Sequence, residues 1–476
     1  MSMKTLCSVS SLLATLPALA AGQSAISLLA PDTVTIDPGD LRAADRHIAW
    51  QVRLPLDVTE RVQRAQLLDE HVYVTSDRGE LYAIRAESGL VRWQRSVAEG
   101  GDFVFRLRHA TATLAPKEGT QQQPEGAQSG GTNAPSAEQP TPAPPDKIIR
   151  AMPGEPSEDE PWGAVVVTEP GHVRFLRRSD GEELITHRLH VPPAGPMIAD
   201  ATQFYGVLAN QRLAAFDRRD GIQRWDLYLH GTSASVPRFR GNQIFSGTDE
   251  GRVFLLKTKD RAKYWSGRVD GGVIEPAHVT QDDIILTTTE HYLYSIDPTV
   301  GAEHAAYRWR YRLNGRPYEG PTVIKDLILQ YDPGDGLLAF NRANGDLLWA
   351  SKPARYALAD QGGAIAALDA TKSRLYLLDA KTGKVRNMAH LGGVEKALRN
   401  TRTDAVYLVS RAGHVVCIRP RNAPRLELAD LLPPEPPAES GAAPSGAQPA
   451  GNQSAAAAKG SALQPEFDPL RSDRRD

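Results

Sequence analysis

Residues 71–93, HVYVTSDRGELYAIRAESGLVRW, spell an apolar strand, a polar turn with Gly79, a second strand, a turn with Gly89 and a closing Trp. The phrase returns as QIFSGTDEGRVFLLKTKDRAKYW (243–265), LILQYDPGDGLLAFNRANGDLLW (327–349) and AIAALDATKSRLYLLDAKTGKVRN (364–387). Repetition at a period of about 40 residues constrains this chain more than any local motif, because such a unit cannot bury its own apolar faces and must stack on neighbours. The 476 residues therefore read as one array rather than several unrelated domains.

The closing position is held by Trp50, Trp93, Ile185, Trp225, Trp265, Trp309, Trp349 and Asn387, in steps of 43, 92, 40, 40, 44, 40 and 38. The long step holds an insertion. The step of 44 arises because Gly301 precedes Trp309 by eight residues rather than four. Middle strands such as AVVVT (164–168), DIILTTT (283–289) and AVYLVS (405–410) are apolar on both faces, as strands covered on two sides must be. The last strands are outermost: in YRWRYRL (307–313) Trp309 and Tyr311 face one way and three arginines the other, which guards an open edge. The expected fold is all-β, an eight-bladed β-propeller of four-stranded antiparallel blades. After Asn387 only three strands follow (394–398, 405–410, 414–419), whereas HIAWQVRLP (47–55) is a fourth strand with nothing before it. Pairing them closes the ring with the N-terminal strand and removes both open ends.

Lys4, the small and apolar run 5–19, and Ala18-Leu19-Ala20 read as a signal peptide over 1–20; the run is too short and interrupted to span a bilayer. The expectation is an exported protein, periplasmic or extracellular, with no transmembrane segment in the mature chain. A linker is expected over 21–45, the propeller over 46–422 with a disordered insertion at 115–160 inside blade 2, and a disordered Pro/Ala/Gly-rich tail over 423–476. Residues 116–146 contain no aromatic, Val, Ile, Leu, Met or Cys, so they cannot bury enough apolar surface to order themselves. Trp162 is expected to seal the insertion. With 55 basic and 57 acidic residues, the net charge of −2 gives no reason to expect nucleic acid or an anionic membrane as partner. A monomer is expected. Cys7 lies in the signal, preceded by Lys4-Thr5-Leu6 rather than a lipidation motif. Cys417, alone in the strand HVVCIRP, is a buried thiol and leaves no disulfide or thiolate metal site.

The pattern Y-x-x-x-x-x-G-x-L-Y-A-[IL]-x-A-x-[ST]-G-x-x-x-W, clearest at 73–93 and 376–383, resembles the repeat of the pyrroloquinoline quinone (PQQ) enzymes, over about residues 46–420. Two groups share it: quinoprotein dehydrogenases that bind PQQ and calcium, and cofactor-free exported propellers similar to the outer-membrane assembly factor BamB, which implies a docking scaffold. The resemblance implies that Trp50, Trp93, Trp225, Trp265, Trp309 and Trp349 pack between blades and are structural. It implies an adjacent Cys-Cys pair for the dehydrogenases, and this chain has none. None of that group's calcium carboxylates or its catalytic Asp has a match, so no cofactor is expected, with PQQ and calcium as the alternative.

No H-E-x-x-H, G-x-x-x-x-G-K-[ST] or G-x-S-x-G is present. His278, His291 and His304 are evenly spaced but fall in different strand contexts, and DPGDG (332–336) lacks the further ligands of a calcium loop. What remains is a surface. The turns between second and third strands gather on one face and carry Asp77, Arg78, Glu169, Asp249, Glu290, Asp335 and Arg411, with Asn210, Glu250, His291 and Lys372 beside them. Loops on a rigid scaffold are where binding residues concentrate. The expected function is a non-catalytic scaffold that binds another envelope or secreted protein through this face; the alternative is a PQQ-binding oxidoreductase. For a carbohydrate binder there is no positive sign.

Overall fold

In the computed structural model, eight antiparallel sheets follow one another around a ring. Residues 32–98, 103–110, 163–231, 236–300 and 307–433 are described. The expected signal peptide, Cys7, the insertion 115–160, Trp162, His304 and the tail beyond 433 lie outside them.

Blades 1 to 7 occupy 62–96, 108–188, 198–228, 238–268, 273–312, 322–351 and 356–392, and blade 8 occupies 396–420. Strand β2 (Arg46–Arg53) supplies the fourth strand of blade 8, pairing antiparallel with His414–Pro420 so that Trp50 stands opposite Cys417. The N-terminal strand therefore shuts the ring, as the odd strand count required. The first two strands of blade 2, Arg108–His109 and Ala164–Glu169, flank the position of the insertion.

Eight apolar clusters form the core, and each lies between two neighbouring blades rather than within one. Between blades 1 and 2, for example, Tyr73, Leu81 and Trp93 meet Val165, Val167 and Leu176. This is why the middle strands had to be apolar on both faces: each side of a blade is half of a different core.

Two boundaries differ from expectation. The segment expected as linker over 21–45 is structured from residue 32. Strand β1 (Thr35–Ile36) adds a fifth strand to blade 7, and helix α1 (Pro38–Ala43), capped by the Asp37 carboxylate, follows it. Val34, Leu41 and Ala44 are buried against blades 7 and 8, which repays the entropy of ordering the segment. At the other end, 423–432 were expected to begin the disordered tail. The compact unit instead runs to Leu432, because Leu426 and Leu431 insert into the core between blades 8 and 1 around the short helix α2 (Leu428–Leu431).

Candidate functional site

The closing aromatic residues form an interlock rather than a reactive centre. Each indole N–H donates to a carbonyl just beyond the third strand of the next blade: Trp50 to Ala86 (3.0 Å), Trp93 to Arg178 (2.9 Å), Trp225 to Thr258 (3.0 Å), Trp265 to Pro298 (3.3 Å), Trp309 to Arg342 (3.2 Å) and Trp349 to Ala380 (2.9 Å). Four of these rings lie against a turn glycine of that blade, whereas in the blade 4 turn that receives Trp225 the positive φ falls on Arg261. A Cβ on Gly89, Gly181, Gly345 or Gly383 would stand 2.5–2.6 Å from atoms of Trp50, Trp93, Trp309 or Trp349. The glycine of the repeat thus serves the preceding blade's Trp as well as its own turn.

The two degenerate positions have separate causes. In blade 2, Ile185 occupies the closing register, but His187 two residues on donates through Nε2 to Arg218 O (2.9 Å) and rests on Gly221. At Asn387 the next blade has no third-to-fourth turn, because its fourth strand is β2. The amide of Asn387 reaches the carbonyl of Ala43 in α1 instead, at 3.3 Å.

The turns expected to form a docking face lie together with the linkers that join successive blades. One backbone bond recurs there: Val97 N to Gly79 O, Leu189 N to Gly171 O, Val269 N to Gly251 O and Leu313 N to His291 O zip each linker to the turn of its own blade. Each turn also holds one residue at positive φ, which is Gly in most blades but Gln211, His291 and Lys372 in three. Of the candidates, Asp77, Arg78, Asp249, Glu290 and Arg411 are exposed and Asp335 is half-buried, held by Asn314 (2.6 Å). Glu169 is not available to a partner: it is buried and bound to Arg174 (2.8 Å). Arg78 is neutralised by Asp57. Exposed Val58, Phe103 and Tyr318 on the blade-linking segments add apolar surface that attention to the turns alone passed over.

A second cluster was missed in the sequence. Asp69, Glu70 and His109 bring three ligand-type atoms within 4.8 Å of one another. Every one of them is already engaged. Asp69 accepts from His109 Nδ1 (2.7 Å) and Arg402 (2.6 Å), Glu70 accepts from Arg178 Nε (2.9 Å) and pairs with His71 (2.9 Å), and the Tyr73 hydroxyl meets His109 Nε2 at 3.1 Å. Burial alone would raise both carboxyls. The His109 bond to Asp69 and the His71 bond to Glu70, with the nearby arginine charges, outweigh it and hold both below the usual carboxylate range. The Arg178 guanidinium supplies the positive charge a metal would bring, so the cluster ties blades 8, 1 and 2 together. His278 sits on the first strand of blade 5 and His291 in a turn of the same blade, not at one site.

The first strands of the blades line the bore of the ring. Glu275 and Glu319 are the carboxylates of its wall among the described residues, and they stand among a majority of cations. Glu319 is paired with Arg399, and Glu275 accepts from the Val236 amide. Calcium needs six to eight oxygen ligands, so this wall does not fit the calcium of a quinoprotein site.

A family model described as the outer membrane protein assembly factor BamB matches residues 32–121, 209–304 and 299–430, more than half of the chain. The chain belongs to the BamB family. Within it, BamB of Nitrosomonas eutropha is 23% identical over 143 residues, 29% of this chain and 34% of the relative, so that alignment spans about a third of the relative's length. The crystal structure of BamB from Moraxella catarrhalis superposes with a TM-score of 0.55 at 16% identity, covering 80% of this chain and 99% of that one. The C-terminal WD40 domain of Sif2 gives 0.53 at 8% identity, covering 79% and 98%. At these identities the structural likenesses speak for the propeller fold alone. Among the described residues no helix is long and apolar enough to cross a membrane.

Proposed function

We propose that this protein is an exported, non-catalytic, monomeric scaffold that presents the turn-and-linker face of its ring to another envelope protein during outer-membrane protein assembly. The observation that carries this reading is the BamB family match over most of the propeller. Physical support comes from the face itself. It is stiffened by the recurrent linker bonds, it exposes Asp77, Asp249, Glu250 and Glu290, and it sets Val58, Phe103 and Tyr318 beside them. Apolar anchors within a charged rim are the ordinary anatomy of a protein interface. The acidic bias of the exposed turns favours a basic partner surface.

The test is photo-cross-linking in the native envelope from Asp249 and Glu290, with Leu348 on the outer rim as control. The expected result is one discrete adduct from the two face positions and none from Leu348. Equal labelling from all three would overturn the assignment of the face. Stoichiometric retention of PQQ with calcium through gel filtration, together with dye-linked alcohol oxidation, would overturn the non-catalytic reading.

A further inference from the structure

We propose that the bore of the ring is a binding site for a small, multiply charged oxyanion of the phosphate or polycarboxylate type. The first strands of blades 1, 2 and 4 place Arg64, Arg108 and Arg238 in one wall, and blade 8 adds Lys396 and Arg399. Arg106 at the mouth and Lys372 from a blade 7 turn bring the cations to seven, against the two carboxylates Glu275 and Glu319. The whole chain carries a net charge of −2, so the excess in the bore is a matter of placement rather than composition.

Arg399 is held by Glu319, and Lys372 and Lys396 both meet Glu395, but other donors of this wall are unsatisfied. Nε of Arg64, Nε and Nη2 of Arg108 and Nε of Arg238 are shielded from solvent and have no hydrogen-bond partner. Buried polar groups in native proteins are nearly always paired, and an unpaired charged donor carries the full cost of its desolvation. The wall is also pre-formed, since the Arg64 guanidinium stacks over the Phe103 ring at 4.5 Å. Burial, and then the neighbouring Arg238 charge, push Arg108 down to about 9 even though the Glu275 carboxylate opposes the shift. An oxyanion resolves all of these at once, because guanidinium forks match carboxylate and phosphate oxygens and bind them through charge-assisted hydrogen bonds.

Size selects the occupant. The cavity measures about 680 Å³, which is the scale of small-molecule sites rather than of a folded partner. The site lies inside the ring, so its test needs no docking partner and its failure leaves the scaffold reading standing.

The experiment is isothermal titration of the full chain with pyrophosphate and, separately, with citrate, at ionic strength fixed by sodium chloride. Saturable binding of one anion per chain is expected, with tighter binding of pyrophosphate or of citrate assigning a phosphate or a carboxylate ligand. Arg108→Gln and Arg238→Gln should each weaken it by at least about tenfold, the loss expected for a charged hydrogen bond. Arg310→Gln, on the outer strand of blade 5, should leave it unchanged. A rise in melting temperature with either anion gives a second readout, absent from the double variant Arg108→Gln/Arg238→Gln. No heat beyond the chloride control, or equal binding by the double variant, would overturn the proposal. Should a Gln variant misfold, Arg238→Lys keeps the charge but loses the fork; unchanged affinity there would also overturn it.

Discussion

Replacing Gly383 with Ala isolates the interlock between blades. Gly383 sits at φ +68° and its added Cβ would stand 2.5 Å from Cε3 of Trp349, a side chain only 6% exposed. Gly171 provides the control: its φ is +92°, and nothing lies within 4 Å of a Cβ there. Both substitutions incur the penalty of a left-handed L-residue, about 1–2 kcal/mol, offset by about 0.4–1 kcal/mol from the stiffer unfolded chain. Gly383→Ala must also displace a buried indole, and overpacking of this kind costs about 1–3 kcal/mol. Gly171→Ala should therefore lose about 1 kcal/mol and Gly383→Ala about 2–4 kcal/mol. Urea unfolding followed by Trp fluorescence reads the difference as a shift in midpoint at unchanged m. In a Trp349→Ala background the extra cost of Gly383→Ala should vanish, since the two residues are one contact. If the two glycine variants fall within about 0.5 kcal/mol of each other, or the cost persists without the indole, the packing argument is wrong.

Other outcomes follow from the same structure. Arg178→Met leaves Glu70 buried without its guanidinium and should cost about 3–5 kcal/mol in chemical denaturation; a loss under 1 kcal/mol would show that the pair is not needed. Burial, and then Arg342, push His278 down to about 4 from 6.5, so between these values the unfolded chain holds a proton that the folded one does not. Stability should therefore fall as pH drops through that window and level off below it, and His278→Asn should flatten the slope in a pH series of thermal melts. A chain lacking residues 46–53 should lose cooperative unfolding, because blade 8 then has no outer strand and Ala86 loses its indole donor; an unchanged melting temperature refutes closure by β2.

The architecture was readable because its causes are local and repeated. Eight closing positions, two-sided apolar strands such as AVVVT and the odd strand at Trp50 fix the blade count without long-range information. The replacement by His187 of the indole that position 185 lacks was not readable, since it depends on a side chain reaching from two positions further on. Asn387 looked like decay of the repeat but follows from closure itself, which removes the third-to-fourth turn an indole would rest on. Segments 32–45 and 423–432 were misjudged because a few anchors, Leu41, Leu426 and Leu431, order stretches whose composition is otherwise that of a linker. The bore was missed for a geometric reason. Its arginines come one or two per blade, in short strands such as RLRH and PRFR, and only the ring gathers them.

The strand that shuts the ring is made before the seven blades that separate it from its partner, His414–Pro420. Since synthesis runs from the N-terminus, β2 must wait with a bare edge while seven blades assemble behind it. The same order of events makes the fold intolerant of interruption. A chain halted at any blade does not yield a smaller ring but an open arc with two raw flanks, each half of an absent core. Moving β2 to follow Pro420 would keep the strand pairing that closes the ring while turning its most distant pairing into a neighbouring hairpin, so the rearranged chain should close faster without being more stable.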